Sequence, residues 1–194
     1  GYVYPPKVRE RLLDRWHTPK REQTYAALVL RLSEHYLALL FDQVVRLAGP
    51  SREAALESLD RYYPNVEAMW EASVVLEYCD LARSFVSLLD GYHTHRDLWE
   101  NKVYWLRETL DLCASHLADT ERARMLNSLG VAYMQVFTQH PLQNIHKAVA
   151  CYEEALKLYS PEKEPLDYAM VHNNLGNAYL LGLSDDRASD LEKA

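Results

Sequence analysis

The strongest constraint on this chain is a repetition. Asn127-Ser-Leu-Gly-Val-Ala-Tyr133 returns 46 residues later as Asn173-Asn-Leu-Gly-Asn-Ala-Tyr179. The same offset of 46 carries Ile145-His-Lys-Ala148 onto Leu191-Glu-Lys-Ala194, and Glu108-Thr-Leu-Asp-Leu112 onto Glu154-Ala-Leu-Lys-Leu158. One period linking three separate segments marks a chain built by stacking copies of one unit, because periods of about 20–50 residues belong to solenoids and related arrays. Each unit of such an array is apolar on two sides and is stable only against its neighbours.

Inside the unit the spacing is helical. Leu129 and Tyr133 stand four apart on one face, and Gly130 beside them lacks a Cβ, so a second helix can approach closely there. Ala148, Tyr152 and Ala155 stand at i, i+4 and i+7. The two alanines let helices close, and the tyrosine ring fills the gap between them.

Elsewhere apolar residues recur at three- and four-residue spacing almost throughout. This predicts a short helix over Lys7–Trp16. A long one over Arg21–Ala48 follows, with Leu28, Leu32, Tyr36, Leu39 and Leu40 on a stripe, ended by Gly49-Pro50. Ser51 then caps a helix to Leu59. Pro64-Asn65 opens another, which carries Ala68, Met69, Ala72 and Val75. Leu81–Asp90 is expected to stop at Gly91, and His95–His116 forms a further helix lined by Trp99, Val103, Leu106 and Leu110. Residues 185–194 start the second helix of the last pair. The scarcity of glycine and proline, 6 and 8 in 194 residues, fits helices better than a loop-rich β fold.

Leu-Gly-x-x-Tyr followed by Ala-x-x-x-Tyr-x-x-Ala resembles the tetratricopeptide repeat family, with Leu129, Gly130, Tyr133, Ala148, Tyr152 and Ala155 at its signature positions. The family's unit is about 34 residues. The longer unit here divides its excess between the loops around Phe137–Asn144 and Ser160–Pro165. Leu126 and His172 stand where the family has a large aromatic. Further upstream, Arg31-Leu-Ser-Glu-His35-Tyr-Leu-Ala-Leu39, Tyr63-Pro-Asn65-Val-Glu-Ala68-Met-Trp70-Glu-Ala72, Leu81-Ala82 and Gly91 resemble the helical region that follows the nucleotide-binding core in STAND-class signal-transducing ATPases. The resemblance implies an all-α fold, an α-solenoid of antiparallel helix pairs in a right-handed superhelix. Residues 1–75 would be a helical segment packed on the array, and residues 76–194 the repeats, cut short at the C-terminal end, in one continuous helical domain. It implies a sensor module of signal transduction. This chain has no Gly-x-x-x-x-Gly-Lys loop, so no nucleotide site of that kind is expected in it.

Formal net charge is −7. Residues 1–48 hold about +3 and the remainder about −10, so an acidic body repels phosphate backbones and nucleic acid is not the expected partner. No run of about 18 apolar residues suits a membrane span. Cys79, Cys113 and Cys151 are widely spaced and form no metal-ligand pair; they are read as small buried hydrophobes in a reducing, cytoplasmic compartment. His93-Thr-His95 is the closest histidine pair, with Asp90 or Asp97 as a third ligand in a metal reading and a polar loop in the plainer one. Trp16, Trp70, Trp99 and Trp105 are either a ligand-stacking set or core. Lys20-Arg21 with Arg9, Arg11 and Arg15 reads as a salt-bridged helix face. No nucleophile elbow or His-Glu-x-x-His occurs. No enzyme activity, cofactor or metal is expected.

The expected activity is binding. In tetratricopeptide arrays the first helices line the concave surface. Those positions here are Arg124, Asn127, Val131, Met134 and Gln135, then Met170, Asn173, Asn177, Leu180 and Leu181. Asparagine amides offer donor and acceptor together and pair with an extended peptide backbone; Arg124 adds a charge-assisted bond to a carboxylate. The lysines of the family's carboxylate clamp are missing. Helix–helix packing is the other use open to these asparagines. A protein or peptide on the concave face is the first reading and a small-molecule sensor the second. Self-association through an uncapped C-terminal edge is a further expectation.

Overall fold

The computed structural model describes residues 19–136 and 141–192, with side chains described within 23–136 and 141–182. The helix expected at Lys7–Trp16, Trp16 itself, the Arg9–Arg21 basic face and Lys193-Ala194 lie outside the described residues or side chains. Seven helices account for the described chain, and no strand occurs among the described residues: α1 Pro19–Leu47, α2 Arg52–Val75, α3 Cys79–His95, α4 Trp99–Leu112, α5 Asp119–Gln135, α6 Pro141–Leu158 and α7 Pro165–Glu192. Three of them, α1, α6 and α7, begin on a proline. The first helical position suits proline because its missing N–H has no intrahelical acceptor there. No helix among the described residues is long and apolar enough to cross a membrane. The chain divides into two compact units, Gly1–Tyr92 and His93–Ala194.

In the first unit α1 packs on α2. Val29, Ser33, Leu40 and Leu47 recur at helical spacing and are buried on α1. Gly49 N–H bonds the Arg46 carbonyl at 3.0 Å, and the Arg52 guanidinium donates to the Leu47 carbonyl at 2.9 Å, so the end of α1 is closed by backbone and side chain together. The break expected between Leu59 and Pro64 does not occur: Pro64 lies inside α2. A proline there costs about 3 kcal/mol in lost hydrogen bonding and crowding. Leu56 and Leu59 before it and Val66 and Trp70 after it are all buried. Burial of each contributes about 1.5–3 kcal/mol, so packing of one continuous apolar face outweighs the proline. Tyr92 donates from its hydroxyl to Asp60 at 2.9 Å and tilts against Tyr63, which fastens α3 to α2.

Gly91 does not stop α3, which continues to His95. The chain turns instead at two non-glycine residues in the left-handed region, Glu77 at φ 59° and Asp97 at φ 52°. Both turns close in the same way. Tyr78 N–H reaches back to the Ser73 carbonyl and Leu98 N–H to the His93 carbonyl, at 2.8 and 2.9 Å. Glu77 N–H bonds Val74 and Asp97 N–H bonds Thr94. These are Schellman closures with the left-handed position filled by an acidic residue in place of glycine.

In the second unit successive helices pack in sequence: α4 on α5, α5 on α6 and α6 on α7, with α5 also touching α7. α5 is buried around much of its girth, at Ala123, Leu126, Asn127, Leu129, Gly130 and Ala132. α6 turns Asn144, Ile145, Ala148, Tyr152 and Ala155 inward. The Tyr152 ring lies on Gly130; a Cβ added there would overlap it, with the ring Cζ at 2.8 Å. The notch expected from Leu-Gly-x-x-Tyr and the knob expected from Ala-x-x-x-Tyr-x-x-Ala therefore meet.

The 46-residue period also returns in a polar contact. Arg107 of α4 lies close enough to the Tyr133 phenol of α5 for its charge to pull the phenol's pKa down against burial. Their counterparts are Glu153 of α6 and Tyr179 of α7, and Tyr179 donates to Glu153 at 2.7 Å. Position is kept and polarity reversed. The period fails at the end of the chain. α7 runs unbroken from Pro165 to Glu192, so the second helix expected from residue 185 is a continuation of the first.

Candidate functional site

The residues expected on a concave face fall on α5 and α7 of the second unit, and the structure treats them unequally. Arg124 and Gln135 are exposed, and Val131 and Met134 are half-buried. Asn127 is buried, and its side-chain oxygen accepts from the Asn174 amide of α7 at 2.9 Å. This amide pair joins α5 to α7, which is the packing use left open for the asparagines. On α7, Asn173 and Asn177 are exposed. Met170, Leu180 and Leu181 beside them are 46%, 68% and 51% exposed, and Leu166, one turn earlier, is 85% exposed. Large apolar side chains this open, interleaved with amides on one helix, form a surface suited to a partner.

A second feature was not foreseen from the sequence. A groove of about 330 Å³ lies between α4, α5 and α6. Leu110, Leu126 and Leu129 are its apolar floor, and Arg107, Arg122 and Lys147 supply three cations against Asp111 and Glu154. Arg122 pairs with Glu154 at 2.7 Å, linking α5 to α6. Lys147 stands over the Tyr133 ring, 5.4 Å from its centre. Burial raises the Tyr133 phenol's pKa, with Arg107 pulling it back. Of the three cysteines Cys151 is the free one, and it lines this groove. Burial, with the Glu154 charge adding, pushes its thiol up to about 11. A thiol so raised is a poor nucleophile at neutral pH. The groove was hidden in the sequence because its cations come from three helices and no local pattern unites them.

The remaining candidates resolve into ordinary packing. The histidine pair is not in a loop. His93 is buried in the last turn of α3 and meets the Trp105 ring edge-on at 5.1 Å, while His95 is exposed. Among the described residues no group of three His, Cys, Asp or Glu side chains is placed to hold a metal. Trp70 and Trp105 are each 1% exposed. Trp99 is half-buried under Lys102, whose ammonium sits 5.7 Å from the ring centre and donates to Thr94 at 2.9 Å.

Comparison of the chain with protein families, with curated proteins and with solved structures gives no match.

Proposed function

We propose that this chain is a binding module, a tetratricopeptide-like stack that takes a protein or peptide on the face shared by α5 and α7 and serves as the sensor region of a STAND-class signalling ATPase. The observation that carries the reading is the exposed strip of α7, where Asn173 and Asn177 stand among Met170, Leu180 and Leu181. An extended peptide laid along it would find an amide donor and acceptor every turn and apolar contact between them. Arg124 of α5 is exposed and offers a cation for a carboxylate. The solenoid part of the reading is supported by the returning Tyr133–Arg107 and Tyr179–Glu153 contacts and by the sequential packing of α4 to α7.

The test is capture from native lysate with the whole chain and with its Asn173→Ala/Asn177→Ala variant. Partners held by the parent chain and lost by the variant, at unchanged helix content, support the reading. An identical captured set refutes the assignment of this face.

A second reading, a small-molecule sensor, rests on the groove between α4, α5 and α6. Its three cations over a leucine floor suit a compact ligand with an anionic end. A ligand whose binding is lost in Lys147→Ala and kept in Asn177→Ala would favour it.

A further inference from the structure

In the groove between α4, α5 and α6, the repeat separates what helix stacking needs from what it does not. At the offset of 46, three lining residues recur in kind: Leu110 as Leu156, Leu129 as Leu175 and Tyr133 as Tyr179. The charged ones do not. Arg107 becomes Glu153, Asp111 becomes Lys157 and Arg122 becomes Tyr168, while Lys147 answers to Asn101 one unit back. The repeat therefore packs without these cations. The room in the groove is also particular to it. Ala150 and Cys151 of α6 stand where α4 carries Tyr104 and Trp105, and Trp105 is 1% exposed. Two small side chains replace two large rings, and about 330 Å³ lies open beside them. Ligand pockets span about 300–1,000 Å³, so the occupant is compact.

The charges in the groove do not cancel. Arg122 is taken up by Glu154 at 2.7 Å. Arg107 and Lys147 form no ion pair among the described residues, and both are exposed to an incoming anion. They converge on Tyr133 from α4 and α6: Lys147 stands 5.4 Å from the ring centre, and Arg107 acts on the phenol. Against them remains the Asp111 carboxylate, which leaves a surplus of one positive charge. A monoanion balances that surplus. A phosphate ester, at about −1.5 to −2, would overshoot it and face Asp111 and Glu154. The floor is aliphatic, with Leu110, Leu126 and Leu129 all buried. Among the described lining residues the only ring is Tyr133, and Lys147 covers its face. Hydrocarbon contact is available there and ring stacking is not.

We propose that this groove binds an aliphatic monocarboxylate, its head group held by Arg107 and Lys147 at Tyr133 and its hydrocarbon laid over the leucine floor beside Ala150 and Cys151. Both cations form charge-assisted bonds to a carboxylate, and the phenol can donate one more. The inference rests on the small-molecule reading of the groove and adds the class of ligand.

The test is isothermal titration calorimetry of the whole chain with octanoate, octyl phosphate and 1-octanol. Octanoate should bind at one site and more tightly than either of the others. Arg107→Gln and Lys147→Gln should each weaken it about tenfold or more, as loss of a charge-assisted bond does, and leave octanol as it was. Ala150→Trp should abolish octanoate binding by filling the groove, with circular dichroism unchanged because Ala150 is exposed. Absence of octanoate binding overturns the proposal, as does binding that survives Ala150→Trp or both cation variants. Tighter binding of octyl phosphate, lost in Lys147→Gln, overturns the carboxylate class alone and leaves the small-molecule reading standing. Silence from all three probes overturns the class and counts against that reading as well.

Discussion

Gly130→Ala and Gly176→Ala are the same chemical change at equivalent positions of one repeat, and they should move stability in opposite directions. In an open helix interior the exchange gains up to about 1 kcal/mol, because alanine loses less backbone freedom on folding. Gly176 meets nothing within 4 Å of the added carbon, so Gly176→Ala should keep that gain. At Gly130 the new Cβ enters the Tyr152 ring, with Cζ at 2.8 Å and Cδ1 at 2.9 Å. Tyr152 is only 2% exposed, so its ring is held on all sides by packed neighbours. Either α5 and α6 separate or the ring leaves its site. Overpacking of this kind costs about 1–3 kcal/mol, and expelling the ring forfeits a further burial term of about 2 kcal/mol. The net expectation is a loss of about 2–4 kcal/mol at Gly130 against a gain of about 0.5–1 kcal/mol at Gly176. Urea unfolding followed by circular dichroism measures both midpoints. Equal shifts of the same sign for the two variants would refute the nesting of Tyr152 on Gly130.

Three further outcomes are expected. Glu77→Gly should stabilise the chain by about 1 kcal/mol in thermal or urea unfolding, since Glu77 holds φ 59° where glycine is unstrained; a destabilised variant would contradict the left-handed turn. Alkylation of Cys151 by iodoacetamide at pH 8 should be roughly a hundredfold slower than that of an unperturbed thiol and should keep accelerating towards pH 11, because burial lifts its pKa from 9.0 to about 11; a rate that levels off near pH 9 would contradict the burial. Asn174→Ala should cost about 1 kcal/mol or more, because it leaves the buried Asn127 oxygen without its donor, whereas Asn177→Ala on the exposed face should be neutral in the same unfolding assay.

The parts of the fold written in short-range spacing were legible in the sequence. The long helix expected over Arg21–Ala48 is found at Pro19–Leu47, and the Gly130 notch and Tyr152 knob meet as their i, i+4, i+7 spacing implied. The misreadings come from treating breakers as decisive. Pro64 and Gly91 each looked like an end, yet both sit inside helices whose buried faces run through them. The real ends at Glu77 and Asp97 carry no glycine and so gave no local sign. The unbroken α7 was missed because Leu191-Glu-Lys-Ala194 repeats Ile145-His-Lys-Ala148 without the intervening turn. At the candidate site, the tetratricopeptide resemblance picked out Asn127, Asn173 and Asn177 together, and Asn173 and Asn177 are exposed. It did not separate Asn127, which is spent on Asn174, from the asparagines that remain exposed. That distinction depends on which helix lies opposite, and only the tertiary packing supplies it.

The central claim is that one repeat closes its glycine notch with a tyrosine and the next leaves it open. Nuclear Overhauser effects between glycine Hα protons and aromatic ring protons measure this directly. Strong effects are expected from the Tyr152 ring to Gly130 and none from any ring to Gly176. Ring contacts of similar strength at both glycines, or none at Gly130, would contradict it.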